Sequence, residues 1–346
     1  MIAAFLFGFP VLNCEEKKEV LTVKKALLTG AAAGGIAAAW VYRYFFEMAV
    51  CREPPRIPGP IRRLLAKEQG DDVYGPVVTA LEREIDDLPR RRRTLRSGDG
   101  LLLRAELFVP REPKRVVVLM HGWRSSWMKD FAVLVKPLLE MGCALLFADE
   151  RAHGKSGGEY ITYGIREAED CALWAASAAA EFPGLPLYLW GLSMGSTTVL
   201  RAASAEELPA SLRGIIADCG FTGAREEMEH LIKKRLRFGE KTVAAVYREH
   251  IRRRCGFDID APTTEALLPK NRYPVLFFHG LDDDFVPTAM TRRNYAASGG
   301  EKELVFVGGA AHGKCFYTDP DLCFGETASF FAKHDAAAPV RGEGLR

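Results

Sequence analysis

The hexapeptide GLSMGS at 191–196 is the feature that most constrains how this chain can fold. It sets Ser193 between Gly191 and Gly195, directly after the apolar run 187–190 and before a helix-compatible run. A turn this sharp between a strand and a helix leaves no room for Cβ atoms at the flanking positions, so both must be glycine. The pattern therefore predicts a nucleophile elbow, which exposes the serine Oγ at the carboxyl edge of a sheet.

The sequence around this hexapeptide predicts an α/β protein. Apolar runs and helical patterns alternate from residue 101 onward, which is typical of a mostly parallel sheet with helices on both faces. Strands are predicted over 101–109, 116–120, 143–148, 187–190, 214–217, 275–279 and 303–307, and helices over 130–140, 166–181, 194–203 and 288–297. Reacting groups in such sheets lie at the carboxyl ends of the strands, so we expect the chemistry there.

Two backbone amides are candidates for an oxyanion hole beside Ser193. The amide of Met194 opens the helix that follows the serine, where backbone N–H groups point toward an anion. Gly122 follows the strand over 116–120 and lets the backbone turn close to a substrate, which makes the amide of Trp123 the second candidate.

Two further histidines follow strands but are expected to support loops. His121 directly follows the strand over 116–120, and His153 lies near Ser156 in the loop DERAHGKSGG at 149–158. The glycines and charges of that loop favour a rigid, hydrogen-bonded structure over a catalytic pair of His153 and Ser156.

The acid is expected in the run GLDDDFVP at 280–287. A carboxylate at this strand end would orient a histidine through Nδ1 and stabilise the imidazolium, and Asp282, Asp283 and Asp284 are all candidates. A calcium loop would need alternating oxygen ligands and a terminal glutamate, which the run lacks.

His312 is the candidate general base. It follows the strand over 303–307 in the small-residue loop GGAAHGKCF, from which a histidine reaches back across the sheet edge. The chain order serine, acid, histidine is the order found in folds that use a nucleophile elbow.

Five ordered blocks together resemble the α/β-hydrolases, in the branch of serine aminopeptidase S33-like proteins and alpha/beta-fold esterases. The blocks are HGW at 121–123, DERAHGKSGG at 149–158, GLSMGS at 191–196, HGLDDDFVP at 279–287 and AAHG at 310–313. The resemblance covers residues 94–333 and implies the α/β-hydrolase fold, with Ser193 as nucleophile, Asp283 as acid and His312 as base. It implies no cofactor and no metal. Larger relatives place a lid in the segment 221–273, which is short, helical and basic here and implies a small helical cap.

These residues predict a serine hydrolase that cleaves a carboxylic ester through a Ser-His-Asp triad and an acyl-enzyme intermediate. An acyltransferase or thioesterase using the same triad, and a membrane-tethered binding protein without activity, are the alternatives. No residue identifies a site for a free amino terminus, so aminopeptidase activity is not predicted. The expected partner is a small acyl substrate with a pocket formed by Trp127, Phe221 and Phe285, although Trp123 and Trp127 are equally consistent with core aromatics. The natural substrate and its acyl-chain length stay open.

Composition argues against several other functions. The 346 residues carry a formal net charge of +2, and no aromatic residues interleave the arginines at 90–93, which argues against a nucleic-acid partner. The eight cysteines are scattered singly, without the spacing of zinc ligands or of a disulfide framework. The catalytic part therefore suits a reducing compartment.

The amino-terminal region predicts attachment to a membrane. Residues 26–41 carry no charge and aromatic residues cluster at their end, so a transmembrane anchor is predicted over 26–50. An Ala-rich helix buried on a cytoplasmic protein is the alternative, and basic residues on both sides leave the orientation of the anchor open. The predicted organisation is a first segment at the amino terminus over 1–25, the anchor 26–50, a charged Pro- and Arg-rich connector 51–95, the catalytic domain 96–335 and a tail 336–346. The oligomeric state is not predicted.

Overall fold

The computed structural model describes residues 42–44, 46–53, 74–205, 207–236 and 240–336. Within these residues eight strands form one sheet: β1 Arg91–Arg96, β2 Leu102–Phe108, β3 Arg115–Met120, β4 Cys143–Asp149, β5 Leu187–Leu192, β6 Leu212–Asp218, β7 Val275–Gly280 and β8 Lys302–Val307. The helices in the same part of the chain are α1 Gly75–Asp86, α2 Trp127–Glu140, α3 Glu167–Glu181, α4 Met194–Ala205, α5 Ala224–Leu236, α6 Glu240–Cys255, α7 Thr264–Leu267, α8 Thr288–Ala297, α9 Cys315–Thr318 and α10 Pro320–His334. A 3-10 turn covers Leu268–Lys270, and residues 42–44 and 46–50 are also helical.

The strands are arranged in the order β1-β2-β4-β3-β5-β6-β7-β8. Strand β2 runs antiparallel to both of its neighbours, and the remaining neighbours are parallel. Strands β3 and β7 are buried along their whole length, as expected where helices cover both faces. The prediction of a mostly parallel sheet is confirmed, and β2 to β8 begin and end within a residue or two of the predicted bounds.

Helices cover the two faces of the sheet and build two apolar cores. On one face α3 and α4 bury Trp174 and Val199 in a cluster with Leu189 of β5. On the other face α2 and α10 bury Phe131 and Phe331 against residues of the central strands. Because the parallel strands end at the same edge, the loops that follow β3, β5, β6, β7 and β8 meet there.

The prediction that residues 51–95 form a connector is wrong at its carboxyl end, where β1 lies. This strand is at the edge of the sheet and is half-buried at best, and its Arg93 donates to Glu181 at the end of α3 (Nε to Oε2, 2.7 Å). An edge strand without an apolar face carries no hydrophobic periodicity, and its charged side chains protect the open edge from pairing. The sheet therefore begins at Arg91 instead of after residue 95.

The amino-terminal predictions fall largely outside the described residues. The segment 1–25, most of the anchor 26–50 and most of the tail 336–346 lie outside them. In the part of the chain that the structure describes, no helix is long and apolar enough to cross a bilayer. Residues 46–53, named here the amino-terminal segment, pack on the catalytic domain with Val50 fully buried. The described end of the predicted anchor thus contacts protein.

Helices α5 and α6 form a small cap within the segment 221–273, as the resemblance implies. The two helices pack against each other. They bury Met228, Ile232 and Tyr247 in an apolar cluster that includes Met194 at the start of α4. The cap therefore lies beside the turn that carries Ser193.

Candidate active site

Ser193 occupies the turn between β5 and α4 in the left-handed region, with φ of +57°. Its amide donates to the carbonyl of Asp218 at the end of β6 (2.8 Å). A Cβ atom at Gly191 would lie 2.1 Å from the carbonyl oxygen of Gly195, and one at Gly195 would lie 1.8 Å from the carbonyl oxygen of Met120. Both glycines are thus required by backbone contacts, which is the physical reason for the G-x-S-x-G spacing.

Three side chains that are distant in sequence form one hydrogen-bonded line. His312 Nε2 lies 2.9 Å from Ser193 Oγ, and His312 Nδ1 lies 2.7 Å from Asp283 Oδ2. In the tautomer that carries its proton on Nδ1, the imidazole donates to Asp283 and accepts from the serine hydroxyl. The structure therefore brings together the predicted nucleophile, base and acid in the geometry of a serine-hydrolase triad.

Asp283 is held as an ionised carboxylate. Its Oδ1 accepts from the amides of Phe285 and Val286 at 2.9 Å each, and its Oδ2 lies 3.1 Å from His279 Nε2. Burial alone would raise the pKa of this fully buried carboxyl, but His312 and His279 outweigh burial and hold the pKa well below its ordinary value. A permanently charged Asp283 favours the His312 tautomer described above.

His279 is a site residue that the sequence prediction missed. It lies at the end of β7, is fully buried, and contacts both Asp283 and Thr291 (Nδ1 to Oγ1, 2.7 Å). The signal available in the sequence was the first letter of the block HGLDDDFVP, four residues before Asp283. Its role can be assigned only from the structure, because a histidine at a strand end has many possible partners.

The loop after β3 lies against the serine, as predicted. A Cβ atom at Gly122 would be 3.4 Å from Ser193 Cβ, so the backbone approaches the nucleophile closely there. The amide of Gly122 donates to Asp130 Oδ2 (2.7 Å), which ties the loop to α2. Trp123 follows in this loop, and Met194 is the first residue of α4. The two predicted oxyanion donors therefore belong to the two segments that flank the serine.

His121 and His153 brace this loop, in agreement with the supporting roles expected of them. His121 contacts the carbonyl of Gly122 through Nδ1 (2.8 Å) and accepts from the amide of Glu150 (3.2 Å). His153 Nε2 accepts from the amide of Arg124 at 2.9 Å, and its Nδ1 lies 2.9 Å from the carbonyl of Arg151. Burial, with the nearby His121 and arginine charges, lowers the pKa of His153 to about 3, so its ring is neutral.

An apolar cavity opens beside Ser193. Of the three predicted pocket residues, Phe221 and Phe285 line it, and so does Trp123. With its mouth included, the space inside the cavity is about 690 Å³, part of which is open to solvent. Apolar side chains of the cap complete much of the wall, together with Glu227. These cap residues escaped prediction because no local pattern distinguishes a lining position on a helix from a core position.

The assignment of Trp127 to the substrate pocket is wrong. Its ring stacks on Phe147 of β4 (5.0 Å between ring centres) and packs edge-on against Phe108 of β2 (5.7 Å). Trp127 begins α2, and that helix turns its apolar face toward the sheet and away from the cavity. The alternative that the sequence left open, a core aromatic, is the one observed.

Two groups of side chains in the described residues have the spacing of metal ligands, and both are already engaged. Ligand atoms of Cys219, Asp283 and His312 lie within 4.8 Å of one another, but the last two belong to the hydrogen-bonded line. Glu301, Glu303 and His334 form the second group, and Lys333 pairs with both of its glutamates. The seven cysteines in the described residues are free thiols.

Sequence comparisons relate the chain to known proteins. A family model described as serine aminopeptidase, S33, matches residues 111–254. The uncharacterized protein YqkD of Bacillus subtilis (strain 168) is 24% identical over 297 residues, which is 85% of this chain and 91% of that protein.

Solved structures resemble the chain in fold. The esterase Pf2001 of Pyrococcus furiosus superposes with a TM-score of 0.58 at 18% identity, over 82% of this chain and 100% of that one. Est1E of Butyrivibrio proteoclasticus, solved with ferulic acid, has a TM-score of 0.54 at 20% identity, over 71% of this chain and 100% of that one. XC6422 of Xanthomonas campestris, described as an α/β serine hydrolase without a lid, has a TM-score of 0.51 at 18% identity, over 72% of this chain and 97% of that one. The fold is that of the α/β-hydrolases, and the fold and the family model together support a hydrolase.

Proposed function

We propose that the protein is a serine hydrolase that cleaves a carboxylic ester through an acyl-enzyme intermediate. The observation that carries the proposal is the unbroken line from Asp283 through His312 to Ser193, with the serine on a strained turn. A buried, ionised carboxylate, a neutral imidazole and a hydroxyl in contact are the parts that nucleophilic acyl transfer requires.

The first half of the reaction acylates the serine. As Ser193 Oγ forms a bond to the ester carbonyl carbon, its proton moves to His312 Nε2, and Asp283 stabilises the resulting imidazolium. The tetrahedral intermediate then collapses with cleavage of the bond to the alkoxy oxygen. His312 returns the proton to that oxygen, and the alcohol leaves.

The second half releases the acid. His312 takes a proton from a water molecule as the water oxygen attacks the acyl carbon, and it returns that proton to Ser193 Oγ as the acyl–serine bond breaks. In both halves we assign the stabilisation of the negative charge on the carbonyl oxygen to the backbone amides of Met194 and Trp123. Removing one donor of this kind costs about 3–4 kcal/mol in the barrier.

An ester is favoured as the substrate because the cavity wall is apolar and includes Phe221, Phe285 and Met228. Such a wall accepts an acyl chain and offers few hydrogen-bonding groups for a peptide backbone. Pf2001 and Est1E, which share the fold, provide consistent analogies: the first is named an esterase, and the second was solved with an aromatic acid bound.

The test is covalent labelling followed by product analysis. We expect a fluorophosphonate probe to label the purified wild-type protein, Ser193→Ala to abolish labelling, and short p-nitrophenyl esters to be hydrolysed by the wild type alone. Ser329→Ala is the matched control because Ser329 is exposed on α10 and lies outside the triad. A wild-type protein that neither labels nor hydrolyses these esters would support a non-catalytic binding protein. Acyl transfer to an added alcohol in preference to water would support an acyltransferase.

A further inference from the structure

The amino-terminal segment is fastened to the loop that precedes α3. The amide of Arg52 donates to the carbonyl of Glu159, and the amide of Ile161 donates to the carbonyl of Val50, both at 2.7 Å. Cys51 and Tyr160 form an antiparallel bridge between these two bonds. The segment is therefore paired with the catalytic domain through its backbone, like a short added strand.

Arg124, in the loop that follows β3, binds the same segment. Its guanidinium donates to the carbonyls of Met48 (Nε, 2.6 Å) and Glu47 (Nη2, 2.7 Å), and also to those of Cys51 and Arg52. These carbonyls end the helical stretch of residues 46–50, where a positive charge is favourable. Arg124 directly follows Trp123, so one residue connects the amino-terminal segment to the candidate oxyanion donor.

Ala49 brings the segment into the cavity. It lines the cavity that contains Ser193, and its carbonyl accepts from the indole of Trp123 and from the hydroxyl of Tyr163, both at 2.9 Å. Trp123 and Tyr163 line the same cavity. The wall at this point is thus built from the amino-terminal segment and two aromatic rings that hydrogen-bond to it.

We infer that the amino-terminal segment is part of the substrate site, in which Ala49 limits the length of the acyl chain and Arg124 is the positioning residue that holds the wall in place. The inference rests on the proposed esterase function and adds its substrate class, esters of apolar acyl chains that fit between this segment and the cap. A small residue at position 49 leaves space that a larger side chain would occupy.

The first test measures kcat/KM along a series of p-nitrophenyl esters from acetate to palmitate. Ala49→Phe and the smaller change Ala49→Val should shift the preferred acyl chain to shorter lengths. The value of kcat/KM for the longest chain that the wild type accepts should fall by at least about tenfold, because one methylene in an apolar pocket is worth that much or more. The loss should be smallest for acetate, which has the shortest acyl chain of the series. Val246→Phe is the matched control, because it adds the same ring to an exposed position of the cap.

The second test uses the arginine. Arg124→Met should raise KM for long-chain esters more than for acetate, and Arg124→Lys should restore part of the discrimination because an ammonium still donates to carbonyls. Arg93→Met, which removes a surface arginine of β1, should leave the profile unchanged. An equal loss for all chain lengths in Arg124→Met would overturn its role in holding this wall.

The outcomes separate the two proposals. A wild-type protein without labelling or ester hydrolysis would contradict the proposed function itself. The inference alone would be overturned if the wild type labels and hydrolyses esters and both Ala49→Phe and Ala49→Val keep the wild-type labelling rate and chain-length profile. The proposed function would stand in that case. If Ala49→Phe does not fold, the Ala49→Val profile decides.

Discussion

At the scale of single residues, burial distinguishes three consecutive aspartates. The side chain of Asp283 is fully buried against His312, whereas Asp282 and Asp284 are exposed. The residues alone left all three as candidates, and the resemblance to a family selected Asp283. The structure shows the reason for that choice, because the two amides that turn the chain at Phe285 and Val286 hold this carboxylate toward the histidine.

Replacement of Asp283 tests the assigned acid. Asp283→Asn keeps an oxygen that can accept from the two amides, but its NH₂ group disfavours the His312 tautomer that accepts from Ser193. We expect kcat to fall by about 10³–10⁴-fold with little change in folding. Steady-state kinetics with a p-nitrophenyl ester, and circular dichroism for the fold, measure this. Asp282→Asn should retain full activity, and the reverse result would move the acid to Asp282.

The neutral His153 predicts a pH-dependent contribution to stability. Its pKa is about 3 in the fold and about 6.5 when unperturbed, so between these values the unfolded chain binds a proton that the folded chain does not. This contribution is therefore fully present above pH 6.5 and is lost as the pH falls toward 3, by at most about 1.4 kcal/mol per pH unit. Protonation of Nε2 would break its bond to the amide of Arg124.

The variant His153→Gln checks this effect, because glutamine offers an acceptor to Arg124 and does not titrate. Urea unfolding from pH 7 to pH 4 should show the wild type losing stability relative to the variant as the pH falls. Burial raises the pKa of Asp218 to about 6, which gives a slope of the opposite sign, but that slope is common to both proteins and cancels in their difference. Parallel stability profiles would contradict the prediction.

At the scale of elements, the elbow depends on the close approach of α4 to β3. The packing of these two elements leaves no space at Gly195, where a Cβ atom would lie 1.8 Å from a backbone oxygen that cannot rotate away. The edge strand β1 shows the opposite case, since it packs by backbone pairing with charged side chains toward solvent. Sequence patterns therefore predict the tightly packed element well and the edge element poorly.

A single methyl group added at the elbow should separate α4 from β3. We expect Gly195→Ala to destabilise the fold by about 3 kcal/mol, the upper part of the usual range for overpacking, and to abolish labelling of Ser193. Gly98→Ala is the control, because no atom lies within 4 Å of the position that its Cβ would occupy. Urea unfolding compares the two, and equal midpoints would show that α4 moves without cost.

At the scale of the whole molecule, the position of an ion pair decides what it contributes. Arg151 and Asp170 join the loop after β4 to α3 with both side chains almost completely buried (Nε to Oδ2, 2.7 Å). Arg293 pairs with Glu226 of the cap and with Glu265 of α7, but these side chains are partly exposed to solvent. The buried pair is costly to break because removal of Arg151 would leave Asp170 buried without a counter-charge in a medium of low polarity.

Replacement of each arginine by methionine measures this difference. Arg151→Met should lower the free energy of unfolding by about 3–5 kcal/mol, because it strands Asp170 in the interior. Arg293→Met should lower it by less than about 1 kcal/mol, and by still less in high salt. Urea titrations at low and high ionic strength make the comparison, and an equal cost for both variants would refute it.

Much of the fold and the order of the site could be predicted because they depend on local patterns. Apolar runs mark buried strands wherever they occur, and the spacing of glycines around Ser193 reflects a steric requirement of one turn. The positions of Ser193, Asp283 and His312 after strands likewise reflect strand ends that meet at one edge of the sheet. These features can therefore be recognised in the sequence before the packing of the elements is known.

Only the tertiary structure decided which distant residues share the site. Trp127 belongs to the core beneath α2, whereas Ala49 and Tyr247 reach the cavity from segments far apart in the chain. His279 became part of the site through its contact with Asp283. The physical reason is that the sequence determines which faces of its elements are apolar through local periodicity, whereas the pairing of those faces depends on how all elements pack together.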